Sequence, residues 1–307
     1  MDKLPSAYRL SAEVKHALET RLPIVALEST VITHGLPYPE NSKLAQDLES
    51  QVRLKQVTPA TIALLDGRVC VGLQIDEIER LALAGKEGSL AQVHKISTRD
   101  FAPAIANRWS GGTTVAGTML AAYSAGVKIF ATGGIGGVHR APAYDISADL
   151  PMLARTPMIV VCAGAKAILD LPATLEYLET FAVPVVGYQT DEFPAFYSRS
   201  SGLKVSVRAD SPEAVAEVAR AHWEMGLHSA ILVVNPLPAE EALPNSLVDE
   251  AIAQALQEAD EQQVRGQQVT PFLLKRVSQL TGGASLEANL ALLKNNAGLA
   301  ANIAQKL

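Results

Sequence analysis

Cysteine is scarce in this chain: two residues in 307, Cys70 and Cys162, each inside an apolar run. Two thiols so placed make neither a disulfide framework nor a zinc motif, and they suit a reducing compartment. Aromatic residues are few, at 5%. Charged residues amount to 19% against 48% hydrophobic ones, a balance that excludes a disordered chain. An excess of basic charge is also missing. The 26 Lys and Arg face 32 Asp and Glu, a net charge of -6, which argues against a nucleic-acid-wrapping surface and leaves room for local basic pockets. No run is long and apolar enough to span a membrane; the least polar stretch, 111–126, is short and rich in Gly, Thr and Ala. The first eight residues hold no apolar signal core, and the final Gln305-Lys306-Leu307 departs from a peroxisomal Ser-Lys-Leu address. A soluble cytoplasmic protein, with neither membrane nor nucleic acid as partner, is the expectation.

What is present is alternation. Short apolar runs at 23–27, 61–65, 68–72, 92–96, 127–131, 158–163, 184–187 and 230–234 read as strands. Helical patterns lie between them at 41–56, 76–84, 114–125, 167–181 and 211–225, with Pro172 read as a break in the fourth. The tail from Leu247 is helical, with a break at 266–271. Asp66-Gly67 between two apolar runs is a hairpin signal. No Gly/Ser linker, charge run or internal repeat divides the chain. The expected fold class is α/β: a single α/β/α layered domain over residues 1–307 with a mainly parallel central sheet.

Ligand sites in such folds lie beyond the carboxyl ends of the strands, so each strand exit is a place to look for chemistry. Glu28 directly follows an apolar run, where partial burial would raise its pKa and fit it for acid–base work; capping a helix or pairing with an Arg is the plainer role. Lys95 offers a point charge to a phosphate, or is simply a solvated strand lysine. Gly111-Gly112-Thr113-Thr114 opens a small-residue helix, which suits either an anion cradle or a capped turn. Gly133-Gly134-Ile135-Gly136-Gly137 differs from the dinucleotide fingerprint and is followed by His139 and Arg140, which suit an anionic ligand. If 145–149 is helical, Asp145 and Asp149 share one face and suit a hard cation held through oxygen and water; alternatively one binds metal and the other serves the substrate. Lys166, just past a buried strand, suits an amine nucleophile that burial, a second cation such as Lys95 and a helix start would activate; anchoring the helix to a neighbouring carboxylate is the plainer role. Asn289 on a late helix presents an amide to a base edge.

Taken together, these segments resemble the pseudouridine-5'-phosphate glycosidase family of the indigoidine synthase A-like group. The matching residues are Ala26-Leu-Glu-Ser-Thr-Val-Ile-Thr-His-Gly-Leu-Pro37, Thr132-Gly-Gly-Ile-Gly-Gly-Val-His-Arg140, Asp145-Ile-Ser-Ala-Asp-Leu150 and Val161-Cys-Ala-Gly-Ala-Lys-Ala-Ile-Leu-Asp170. Leu175-Glu-Tyr-Leu-Glu-Thr180, Val234-Asn-Pro236 and Thr270-Pro-Phe-Leu-Leu274 extend the match to nearly the whole chain. The resemblance implies reversible cleavage of pseudouridine 5'-phosphate to uracil and ribose 5-phosphate through a lysine adduct on the opened sugar. It implies Lys166 as nucleophile, Glu28 as proton donor and Asp145 as the residue that holds Mn²⁺, largely through water. Lys95, Val115, Ser147, Ala148 and Asp149 match substrate-binding positions, and Thr132, His139 and Asn289 are further candidates for the pocket. A homotrimer is implied by the family alone. Rival readings are a Schiff-base aldolase of phosphosugars, which needs neither Mn²⁺ nor a base pocket, a phosphosugar kinase, whose phosphoryl-transfer motif is missing, and a ligand-binding protein that has lost its chemistry.

Overall fold

The computed structural model describes residues 4–85, 92–140, 145–264 and 269–307. Its strands are β1 (Tyr8–Leu10), β2 (Ile24–Leu27), β3 (Thr58–Leu65), β4 (Arg68–Val71), β5 (His94–Ile96), β6 (Gly111–Thr113), β7 (Ile129–Ala131), β8 (Val138–His139), β9 (Ile159–Cys162), β10 (Leu169–Asp170), β11 (Val185–Tyr188), β12 (Val207–Ala209) and β13 (Ile231–Val234). Eleven of them form one sheet in the order β1-β4-β3-β2-β7-β9-β13-β11-β12, with β6 also on β3 and β5 on β6; β8 and β10 make a separate ribbon. From β3 to β12 every neighbour along this order is parallel. The antiparallel pairings in the main sheet are those of β3 with β4 and with β6.

The reason lies in the runs themselves. β2, β9 and β13 are apolar at every position and buried throughout, as strands covered on both faces must be. Helices flank the sheet, and the C-terminal helix Ala284–Ala304 packs across β2, β7 and β9. The Asp66-Gly67 hairpin forms as expected, both residues taking the positive φ that a tight two-residue turn demands (50° and 78°). Among the described residues no helix is long and apolar enough to cross a membrane.

Several boundaries differ from the sequence reading. The second helix is Glu40–Arg53, displaced from 41–56 at both ends. Pro172 does not break a helix over 167–181; it sits in the first turn of Leu171–Thr180, where its missing N–H has no partner to lose, and β10 precedes that helix. Gly111-Gly112-Thr113 is strand β6 rather than an anion-binding loop. A Cβ on Gly112 would meet Ser29 O at 2.5 Å, so this glycine lets two backbones touch. The tail forms three helices, Asn245–Glu261, Val269–Leu280 and Ala284–Ala304. Pro271 lies inside the second of them, and residues 266–268 of the expected break fall outside the described residues. A further break, at Gly282 and Gly283 with φ of 61° and 92°, has the glycine signal of a helix stop that the sequence reading passed over.

Candidate active site

β2, β7 and β9 are consecutive in the sheet, in register Leu27↔Ala131 and Ala131↔Val161. Their carboxyl ends therefore release Glu28, Thr132 and the segment leading to Lys166 side by side. The β7–β9 pairing continues past the strands. Thr132 N donates to Val161 O at 3.0 Å, Ala163 N to Gly133 O at 2.8 Å, Ile135 N to Gly164 O at 3.1 Å and Lys166 N to Ile135 O at 3.1 Å. This ladder fixes the glycine loop against the lysine segment. Behind it, Asn296 Nδ2 donates to Thr132 O at 2.9 Å, and Asn235 Nδ2 donates to Asn296 Oδ1 at 3.1 Å.

Thr132 Oγ1 donates a hydrogen bond to Glu28 Oε1. Burial pushes the Glu28 carboxyl above its ordinary value and outweighs the opposing charge of Lys166, the Thr132 bond and Lys95, while Asp149 adds to the rise. Lys95 is displaced the other way: burial and then the Lys166 charge hold its amine below the ordinary lysine value, against the pull of Asp149 and Glu28. Glu28, Lys95, Asp149 and Lys166 thus form one electrostatically coupled group.

Asp149 is buried, at 5% exposure, and both its oxygens are occupied by backbone: Oδ1 accepts from Ala116 N at 2.9 Å and Oδ2 from Gly136 N at 2.7 Å. Ala116 is in the first turn of the helix Val115–Ser124, so the anion that this helix start attracts includes the protein's own carboxylate. Thr114 caps the same helix, its Oγ1 accepting from Gly117 N at 3.2 Å. In the glycine loop, the N–H groups of Ile135, Gly136, Val138 and His139 are all taken by protein acceptors. The anion cradle expected from both segments is therefore in large part already filled. Asp145 and Asp149 do not share a helical face: the helix begins at Asp149, and Ile146 bridges antiparallel to Val138. The carboxylate of Asp145 makes no hydrogen bond or ion pair with the described residues. Nor does a helix start directly after Lys166; the next one begins at Leu171.

These groups surround a cavity of about 390 Å³, a size suited to a small organic ligand. Glu28, Lys95, Val115, His139, Ser147, Ala148, Asp149, Lys166 and Asn289 all line it. Thr132 reaches it through Glu28, and Asp145 stands outside its lining. Among the described residues no three His, Cys, Asp or Glu side chains come together as a metal cluster. Lining residues that had not been singled out include His34, Arg99 and Phe196. His34 sits in the π-helical turn Val31–Gly35, its Nδ1 2.7 Å from Thr33 Oγ1, and burial followed by the charges of Lys95 and His94 keeps it below the usual histidine value. It lies in the same Glu28-to-Pro37 motif, so the signal was there. Arg99 stands at the rim, paired loosely with Asp100 at 3.6 Å. Phe196 sits in a loop between Phe193 and Tyr197, and no local pattern marks it as a lining residue.

An acid and two lysines around one cavity at the carboxyl edge of a parallel sheet define an α/β enzyme with a small-molecule substrate. The chain belongs to the indigoidine synthase A-like family, whose model matches residues 13–306. It is 52% identical over 97% of its length to the pseudouridine-5'-phosphate glycosidase of Geobacillus kaustophilus, covering 97% of that protein. It is 49% identical to the Escherichia coli enzyme of the same name, over 98% of this chain and 96% of the other. Among solved structures, a prealnumycin C-glycosynthase in complex with ribulose 5-phosphate superposes with a TM-score of 0.87 at 38% identity, covering 99% of this chain and 98% of its own. An indigoidine synthase A-like protein of Thermotoga maritima gives the same TM-score of 0.87 at 34% identity, over 97% and 95%.

Proposed function

We propose that the chain reversibly cleaves the carbon–carbon glycosidic bond of pseudouridine 5'-phosphate with water, giving uracil and D-ribose 5-phosphate. The observation that carries the reading is the placement of Glu28 and Lys166 in one cavity, the first with a carboxyl that burial keeps ready to hold a proton. Near-full-length relatives at 49% and 52% identity bearing that name support it. A leaving carbon has no lone pair to protonate, so the bond must be made labile from the sugar side. Ring opening breaks the C1–O4' bond, with a proton going to O4', and leaves C1 electrophilic through conjugation with the uracil ring; the neutral Lys166 amine then adds Nζ to C1 and sheds a proton. The electron pair of the glycosidic bond returns to the uracil carbon, which takes its proton from Glu28. Water then hydrolyses the resulting iminium and frees both the lysine and ribose 5-phosphate.

Lys95 places a cation for the phosphate, with His139, Val115, Ser147 and Ala148 on the surrounding wall, and Asn289 presents its amide to the base. Asp149 holds the helix start and the glycine loop in position. Mn²⁺ belongs to the proposal with Asp145 as its one protein carboxylate. An oxygen donor with no bonded partner among the described residues fits a hard cation that keeps most of its waters. Held by Asp145 and water, the ion would supply positive charge that favours an anionic substrate. Action as a homotrimer in the cytoplasm is part of the same reading and rests on family likeness. A phosphosugar aldolase would use the lysine equally well but gives no reason for the amide at Asn289.

The test is release of uracil, followed by ultraviolet absorbance, from pseudouridine 5'-phosphate with Mn²⁺, beside Lys166→Ala. Uracil from wild type and none from the variant is expected. Uracil from both overturns the covalent route but keeps the reaction, and none from folded wild type overturns the reaction itself.

A further inference from the structure

Asn296 is fully buried, at 0% exposure, on the C-terminal helix Ala284–Ala304, where an amide has to find partners for its polar atoms. It finds them in the backbone at the exit of β7. Nδ2 donates to Thr132 O at 2.9 Å and to Gly133 O at 3.4 Å, and Oδ1 accepts from Asn235 Nδ2 at 3.1 Å. Two carbonyls on one side and an amide donor on the other leave one orientation for this side chain. Asn235, at the exit of β13, is anchored in turn, its N donating to Cys162 O at 2.8 Å. The preceding residue of the helix repeats the tie, as Asn295 Nδ2 donates to Pro236 O at 3.3 Å. The helix comes this close because Gly133 has no side chain: a Cβ there would stand 3.2 Å from both Leu292 Cδ1 and Leu293 Cδ2.

Neither Asn235 nor Asn296 lines the cavity, yet both act on a residue that bonds to a group lining it. Asn296 grips the peptide that joins Thr132 to Gly133, and Thr132 Oγ1 donates to Glu28 Oε1. Thr132 N is held by Val161 O at 3.0 Å, so Asn296 supplies the second fixed point on Thr132. Without it a buried carbonyl loses its donor, and the peptide turns toward another, with Gly133 and Gly134 offering little resistance. The Thr132 hydroxyl then leaves its alignment with Glu28. The charged groups that act on Glu28 are Lys166, Lys95 and Asp149. Among the described residues neither amide side chain bonds to any of the three.

We propose that Asn296, with Asn235 locking its amide, is the positioning residue that holds the Thr132 hydroxyl on Glu28 and so sets the pH range over which the enzyme works. This rests on the reading under Proposed function and adds to it two residues that touch neither the substrate nor the acid. Two readouts are taken across pH. One is uracil release from pseudouridine 5'-phosphate. The other is protonation of Glu28, followed by its carboxylic-acid carbonyl band in the infrared and assigned by the loss of that band in Glu28→Gln. In Asn296→Ala the falling limb of kcat and the titration of the band both move to higher pH, by about 0.3 unit or more, a twofold change in acid dissociation. Asn235→Ala moves them the same way by less, and an unmoved band there overturns the proposal if Asn296→Ala does not fold. Thr132→Val moves them too, and Asn296→Ala combined with Thr132→Val moves them no further, because the amide acts through the hydroxyl. A lowered thermal midpoint with limb and band unmoved makes Asn296 a structural tie and overturns the proposal. An additive shift in the double variant overturns it as well, since the influence then bypasses Thr132. A shifted band in folded protein that releases no uracil leaves the positioning role standing and overturns the cleavage reaction.

Discussion

Thr132 and Glu28 leave adjacent parallel strands one residue past a register pair, Leu27 and Ala131, and the Thr132 hydroxyl donates to Glu28 Oε1. The bond favours the carboxylate, burial favours the carboxylic acid, and burial is the larger influence. The hydroxyl and the burial therefore act in opposite directions on the proton affinity of a carboxyl that lines the cavity.

This relationship fixes a pH dependence. With Glu28 as the proton donor proposed above, its proton-bearing form is the one that acts in cleavage, and turnover is expected to fall as pH rises through its elevated pKa. Thr132→Val removes a bond that stabilises the charged form, and the falling limb moves to higher pH. Glu28→Gln lowers kcat by roughly 10²- to 10⁴-fold, the usual contribution of a positioned acid. Stability has a definite sign as well. A carboxyl raised in the folded state contributes fully below the unfolded value, and that contribution is lost as pH rises through the folded one. Glu28→Gln therefore gains stability relative to wild type between about pH 4 and about pH 8, read as the difference in urea midpoints at the two values. A constant difference would show that burial does not raise Glu28.

Asp149 behaves differently, because its oxygens are spent on Ala116 N and Gly136 N. Asp149→Ala leaves two buried N–H groups without acceptors, at about 1–3 kcal/mol each. The thermal midpoint falls, and affinity for ribose 5-phosphate falls with it as the glycine loop loosens. Asp149→Asn retains one acceptor and turns an NH₂ toward the other N–H, so it recovers only part of the loss. Loss of sugar-phosphate affinity at an unchanged midpoint would instead mean that Asp149 meets the ligand directly.

The chain's local patterns carried the strands well, since β2, β9 and β13 are apolar at every position and can lie only inside a covered parallel sheet. Glu28 and Lys166 were legible for the same reason, each being a charged residue just beyond such a run. What escaped depends on contacts distant in sequence. Nothing near Val115 says that its helix start is met by a carboxylate 33 residues on from Ala116. Gly112 looked like a ligand-binding glycine because its real neighbour, the Ser29 carbonyl, comes from another strand exit. Phe196 has a positive φ set by hydrogen bonds of its own loop, and sequence composition does not record them. Pro172 was misread for a local reason, since proline at a helix start and proline within a helix look alike until the start is known.

Two lysines in one cavity make the nucleophile an experimental question with a definite answer. Lys95 has its amine below the ordinary value, a property that also suits a nucleophile, whereas Lys166 follows the ladder that ties β9 to the glycine loop. Incubation with ribose 5-phosphate and borohydride traps a reduced adduct on Lys166, located by peptide mass. The adduct survives in Lys95→Met at a raised ribose 5-phosphate requirement and disappears in Lys166→Ala. An adduct mapped to Lys95 in wild type would exchange the two roles.

Asp145 provides the cleanest separation between binding and folding. Its carboxylate is half-buried and bonded to none of the described residues, although its backbone oxygen accepts from His139 N at 2.9 Å. Asp145→Asn and Asp145→Ala keep that backbone contact, so the thermal midpoint of the metal-free protein moves by no more than about 0.5 kcal/mol equivalent, as for other substitutions without a lost partner. Binding of Mn²⁺, followed by the loss of its free-ion paramagnetic signal on titration, weakens by tenfold or more on removing the one charged donor, about 1.4 kcal/mol. Unchanged Mn²⁺ affinity in Asp145→Ala would place the ion elsewhere, whatever the effect on turnover. A lowered midpoint without metal would show instead that Asp145 supports the loop, and its proximity to Ser147–Asp149 would then be structural.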